Sequence, residues 1–340
     1  METTQKKKFN VSLVGAGRLL GKDVKLFLEE REFPIARLKL LDSETYEGAI
    51  TEYNGEASLI TKIEEDSFLY SDIIFLCCGG QEGKQYASFP RKEGSLLIDF
   101  SLTHAGREQA PVINCDINLE SMRKGKGIVS SPQPISIILS NLLHPLDLAF
   151  GMERISVNVF QPVSDFGEEG IEELHQQTIK ILSFSKIPKN VFGRQLAFNL
   201  IPGSMLSTRQ REAAIDTAIS QEVSEILGWR DRRLATRIIV APVFFSHSFS
   251  IHLMLKSRPQ SSQVNDVLNK IKCMKISTKG RGVTPVEATG ERQMYVSESC
   301  EDGLSSGGFW LWIVSDHLRS DAALNAVRIA EAFISASSVN

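Results

Sequence analysis

A chain of 340 residues, with 42% hydrophobic residues, 23% charged residues and a formal net charge of −3, is long enough for two domains and has the make-up of an ordinary soluble globular protein. The near-neutral balance excludes a dedicated nucleic-acid surface, because Lys6 to Lys8 form a short basic tip and no long basic stripe exists to meet phosphates. Five cysteines without regular spacing argue against a disulfide framework and for a reducing, cytoplasmic setting. No secretory signal, membrane-length apolar run, CxxC or HxxxH is present, which predicts neither membrane insertion nor a metal site.

The first third alternates strand and helix patterns. "NVSLVGAG" is an apolar run ending in glycines. "LLGKDVKLFLEERE" then sets Leu20, Val24, Leu26 and Leu28 mostly along one helical face. "ARLKLLD", "SDIIFLCCGG" and "GSLLIDFS" read as three further strands. Continuous apolar runs separated by helices predict a doubly wound parallel sheet of Rossmann type, covered on both faces.

Gly15, Gly17 and Gly21 follow the first strand with the spacing GxGxxxG. Glycine there lets the backbone turn and approach a pyrophosphate, which a helix N-terminus then stabilises. With Arg18 and Leu19 they form the expected cofactor cradle, Arg18 adding a phosphate contact. Asp42 ends the second strand, 25 residues after Gly17. A carboxylate there accepts from the adenosine ribose and repels a 2′-phosphate, and Glu44 adds charge, so NAD is favoured over NADP. Gly79 and Gly80 end the next strand on the same carboxyl edge of the sheet.

Beyond about residue 133 the texture changes. "RISVNVFQPVS", "TRIIVAPVFFSHSFSIHLMLKS" and "GGFWLWIVSDH" read as longer strands of an antiparallel or mixed sheet. "IDTAISQEVSEILG" spaces Ile215, Ile219, Val223 and Ile226 as a helix stopped by Gly228. "RPQSSQ" reads as an exposed loop, and "DAALNAVRIAEAFISA" as a final amphipathic helix.

In order, "VGAGRLLG", "CCGGQEGKQYA", "INCDIN", "GIVSSPQPISIILSNLLHPL", "FQPVSDFGEEGIEEL", "FGRQLAFNLIP", "APVFFSHSFS" and "WIVSDHLRSDAALNAVRIAE" resemble landmarks of the aspartate-β-semialdehyde dehydrogenases over nearly the whole chain. "FGRQLAFNLIP" and "APVFFSHS" look closest to a divergent branch that lacks the catalytic cysteine. The resemblance implies a Rossmann domain over 1–133 with 320–340 and a mixed-sheet substrate and dimerisation domain over 134–319. It also implies a homodimer and a reaction in which a thiolate attacks an aldehyde, hydride passes to the nicotinamide and phosphate releases an acyl phosphate.

Role by role, the carry-over is mixed. The "NPNCTT"-like nucleophile pattern reads "SPQPIS", with Pro134 in the cysteine's place. Gln161 in "FQPVSD" matches the substrate-positioning glutamine and His247 in "FSHS" the acid/base histidine. The substrate arginine aligns with Val240. The phosphate-side arginine aligns near Ala105, with Arg107 two residues away, and the "EExK" pair near Asp216 and Ala218. The NADP-selecting arginine falls at Thr45. Three readings stay open. One is a dinucleotide-binding homologue without the normal activity, acting as a metabolite-binding, partner or regulatory subunit. Another is an active NAD-dependent oxidoreductase on another small aldehyde, with Cys115 as the spare thiol. A serine site, with Ser131 or Ser136 beside His247, is a third. Cys77 and Cys78 read as core residues, and His252 and His317 as structural or exposed.

Overall fold

The computed structural model describes residues 7–101, 110–206, 212–231, 233–272, 274–277, 282–291, 293–297, 299–316 and 318–337. The chain divides into two units, Met1–Ile137 with Arg319–Asn340, and Ile138–Leu318.

In the first unit the chain runs β1 (Phe9–Val14), α1 (Leu19–Glu30), β2 (Ile35–Asp42), β3 (Ile50–Tyr53), β4 (Glu56–Leu59), β5 (Thr61–Lys62), β6 (Ile73–Leu76), α2 (Gly80–Tyr86), β7 (Leu96–Asp99) and β8 (Ile128–Ser130). Six of these strands make a parallel sheet in the order β5-β2-β1-β6-β7-β8. The order reverses at β1, whose neighbours are β2 and β6, so the crevice at their carboxyl ends is the place where open α/β sheets take ligands. Leu13, Phe75 and Ile98 pack with Val24 and Leu28 of α1 on one face, and Val14, Ile74, Leu76 and Leu97 form the other. Burial on both faces is why these strands read as unbroken apolar runs. The β3–β4 hairpin, mostly exposed, carries no such run and was not among the predicted strands.

α3 (Pro134–Phe150) begins in the first unit and runs on into the second, where the chain continues with β9 (Met152–Gln161), α4 (Gly167–Leu182), β10 (Ile201–Pro202), α5 (Glu212–Ile226), β11 (Leu234–Val240), β12 (His247–Leu255), α6 (Ser261–Leu268), β13 (Met274–Ile276), α7 (Pro285–Ala288), β14 (Met294–Val296), β15 (Cys300–Glu301) and β16 (Gly308–Ser315). The sheet order is β10-β11-β9-β12-β16-β14-β13, with β15 beside β16. β11 is parallel to β9 and β12 antiparallel to it.

Two expectations are corrected here. "TRIIVAPVFFSHSFSIHLMLKS" is two strands on opposite sides of β9, broken over residues 241–246. Pro242 has no N–H for a ladder, and Ser246 has a φ of +69°. In "RPQSSQ", Ser261 already opens α6, where the Gln260 N–H donates to Gln263 Oε1 at 2.9 Å. Glutamine is an unusual residue for that job, so the start carried no recognisable cap. The chain closes with α8 (Leu318–Ser337), whose Ala323, Ala326, Val327 and Ala330 join the first unit's core.

Candidate functional site

The glycines after β1 are fixed by contacts with the backbone and with a ring. Gly15 has a φ of +82°, and a Cβ on it would lie 2.7 Å from the Cys77 carbonyl oxygen. A Cβ on Gly21 would lie 2.1 Å from the Gly15 carbonyl oxygen. These two glycines therefore seat α1 against the strand ends. Gly17 faces the ring of Tyr46, 2.5 Å from where its Cβ would be. α1 begins at exposed Leu19, with no side chain capping its N-terminus and no acidic residue in its first turn. Helix N-terminal N–H groups have no partner within the helix, so this end suits an anion such as a pyrophosphate.

Asp42, 1% exposed, lies at the end of β2. Its Oδ2 accepts from the Gly17 N–H at 3.0 Å, and its Oδ1 from the Ser43 N–H at 2.8 Å and Arg18 Nε at 3.2 Å. A carboxylate has about four acceptor positions. Three serve the loop, which leaves room for about one ribose hydroxyl. Arg18 continues to Glu82 Oε2, 2.8 Å away. Partial burial pulls the guanidinium pKa down, but the Glu82 hydrogen bond and the charges of Asp42 and Glu82 outweigh it and hold it above its ordinary value. Gly79 precedes α2 in extended backbone and Gly80 opens that helix. The tight glycine there is Gly83, whose Cβ would lie 2.7 Å from the Cys78 carbonyl oxygen. Neither Gly83 nor Glu82 was among the predicted site residues. The only hint was their place in "GGQEG", just after the strand.

Cys115 donates its thiol to the Asn325 carbonyl at 3.4 Å, and its N–H goes to Asn325 Oδ1 at 2.9 Å. Burial pushes its pKa up to about 12, against the pull of Arg328. That geometry weighs against Cys115 as a nucleophile, because the thiolate is the reactive form. Iodoacetamide at pH 8 is expected to label exposed Cys300 and to leave Cys115 unmodified until the protein is unfolded, as read by peptide mass spectrometry. Cys77 and Cys78 are buried.

Pro134 is the first residue of α3. Proline suits a helix start, because its φ is preset and its missing N–H would have no partner there. Pro134 thus has a plain structural job and carries no nucleophilic atom. Ser131 and Ser136 are buried.

In the second unit, Gln161 and His247 are brought together by a residue absent from the predicted site, Asp165. Gln161 Nε2 donates to Asp165 Oδ2 at 2.8 Å, and His247 Nε2 lies 2.8 Å from the same oxygen. His247 is buried and Asp165 a third exposed. Ser246, in its left-handed conformation, donates to Asp316 Oδ1 at 2.9 Å and fixes the entry to β12. Val240 is fully buried in an apolar cluster with Phe192, Leu196 and Ile201, so its side chain is core. Asp216 accepts from the Ile238 N–H at 3.1 Å and pairs with Arg237 at 3.7 Å. Burial raises its pKa, and those two contacts oppose the rise. Ala218 brings no charge to α5. Thr45 lies in the turn that carries Tyr46. His252 pairs with Asp302 at 3.1 Å. Ala105, Arg107 and His317 lie outside the described residues. Among the described residues no group of three or more His, Cys, Asp and Glu could hold a metal ion, and no helix is long and apolar enough to cross a membrane.

Residues 10–125 match the NAD binding domain of semialdehyde dehydrogenase, and residues 143–320 match its dimerisation domain. The aspartate-semialdehyde dehydrogenase of Rickettsia bellii is 29% identical over 96% of this chain and 98% of its own. That of a Shewanella strain is 30% identical, with the same coverage. Among solved structures, aspartate semialdehyde dehydrogenase II of Vibrio cholerae, complexed with ASA, superposes with a TM-score of 0.86 at 29% identity, over 96% of this chain and 98% of that one. The Candida albicans enzyme with NADP shares the fold alone, with a TM-score of 0.71 at 16% identity over 98% and 100% of the two chains.

Proposed function

Because this chain belongs to the semialdehyde dehydrogenase family, we propose that it is a homodimeric nicotinamide-dinucleotide-binding protein without the family's normal semialdehyde dehydrogenase activity. It acts instead as a metabolite-binding, partner or regulatory subunit. One observation carries the reading: α1 begins uncapped after the glycines, while Pro134, which the resemblance sets in the thiol's place, opens α3. Gly15, Gly17, Arg18, Leu19, Gly21, Asp42, Gly79 and Gly80 would hold the dinucleotide, which when bound supplies a hydride acceptor. Asp42 at the end of β2 and Glu44 in the turn after it favour NAD over NADP.

Further support comes from the second unit. The thioester reaction needs an activated nucleophile and cations for the substrate's anionic groups. Asp165 engages both Gln161 and His247 and adds a negative charge beside them. Val240 is core where the family's arginine would be. Self-association is supported by the sheet face that carries His252, Trp310 and Trp312, where Trp310 is 45% exposed. The free cysteines Cys77, Cys78, Cys115 and Cys300 support a reducing, cytoplasmic compartment.

The test is to incubate the protein with NAD, phosphate and a panel of semialdehydes and to follow nicotinamide absorbance. No turnover is expected. Pro134→Cys should add an alkylatable thiol and still give none, because the missing charges are not restored. Turnover by the wild type that disappears in Cys115→Ser would overturn the reading in favour of an active oxidoreductase.

A further inference from the structure

We propose that Glu82 sets the nucleotide affinity of the cradle by competing with the dinucleotide's pyrophosphate for the Arg18 guanidinium, an inference that rests on the dinucleotide-binding reading above. Arg18 immediately precedes α1, and its side chain joins two carboxylates that no glycine motif links. Nε is 3.2 Å from Asp42 Oδ1, and Nη2 is 2.8 Å from Glu82 Oε2.

The two contacts differ in kind. Asp42 is buried and also held by the Gly17 and Ser43 N–H groups, so it is a fixed inner anchor. Glu82 is 44% exposed, and solvent-facing ion pairs are weak. An anion arriving at the uncapped end of α1 therefore meets a cation whose outer contact is easily exchanged. Exchange of Glu82 for phosphate oxygens keeps Arg18 charge-paired and leaves the Asp42 contact in place. Phosphate offers the planar guanidinium fork a good acceptor geometry. Glu82 opposes this in two ways, as the group that must be displaced and as a like charge left beside the phosphate. Its position on α2, three residues after Gly79, puts it on the carboxyl edge of the sheet where a dinucleotide lies.

Calorimetric titration of the full chain with NAD, and separately with NADP, tests this in Glu82→Gln, Arg18→Gln and the double variant. Glu82→Gln is expected to tighten both nucleotides by about two- to fivefold. Arg18→Gln is expected to weaken both by about tenfold, and in its background the Glu82→Gln gain should disappear. If NAD binds wild type and Glu82→Gln equally, or binds the variant more weakly, the proposal falls and the dinucleotide reading stands. A gain confined to NADP would move Arg18 to the 2′-phosphate and overturn the pyrophosphate assignment. If no variant binds either nucleotide, the dinucleotide reading falls and takes the proposal with it. Glu82 is half-buried with its side chain reaching solvent, so the isosteric Glu82→Gln should melt close to the wild-type temperature, and it decides the question even if Arg18→Gln folds poorly.

Discussion

Gly21→Ala is expected to abolish NAD binding and to lower stability by about 3 kcal/mol, because overpacking against backbone cannot be relieved by a rotamer change. A Cβ at this position would lie 2.1 Å from the Gly15 carbonyl oxygen and 3.1 Å from the Ala16 Cα. Both are main-chain atoms of the turn that leads into α1. The helix must therefore back away from the end of β1, which also pulls its N-terminal N–H groups out of the cradle. Gly17→Ala is the control. The atoms nearest its Cβ all belong to the Tyr46 ring, a side chain at the surface of the turn that can swing aside. That variant should weaken binding with a much smaller loss of stability. Urea denaturation gives the stability and calorimetry the binding. A Gly21→Ala protein with the wild-type midpoint would mean that α1 is not seated as described.

How much of this was legible beforehand depends on whether the signal was local. The strands of the first unit are buried on both faces, so their apolar runs identify them directly. The glycines after β1 announce a sharp turn, but not which of them serves backbone packing and which faces a ring. The break between β11 and β12 was not visible, because Pro242 and the left-handed Ser246 sit inside an otherwise apolar stretch. Glu82 and Asp165 were missed for a stronger reason. Each acts through a partner distant in sequence, Arg18 64 residues from Glu82 and His247 82 residues from Asp165, and the local pattern, "GGQEG" after the strand included, shows neither ion pair. Sequence landmarks recover positions along the chain. They do not recover the ion pairs that tune those positions.

A landmark can also be held by packing alone, and "FGRQLAFNLIP" is a case that can be tested. Glu173 and Gln177 lie one turn apart on α4 and are both buried. The Glu173 carboxylate accepts from the N–H groups of Asn190 at 2.6 Å, Val191 at 2.7 Å and Phe192 at 3.2 Å. Gln177 accepts from Leu196 at 2.7 Å and Ala197 at 3.1 Å and donates to the carbonyls of Pro188 and Arg194. Residues 188–197 contain no helix or strand, so these two side chains supply hydrogen bonds that regular structure would otherwise provide. Charged acceptors make such bonds stronger than neutral ones, and buried donors left without a partner are costly. Glu173→Ala should therefore lose about 3 kcal/mol or more. Glu173→Gln keeps the shape and one acceptor oxygen and should lose less. Urea midpoints rank the three proteins. If Glu173→Ala unfolds at the wild-type midpoint, the segment is not held by α4. If it unfolds early, the landmark belongs to the scaffold.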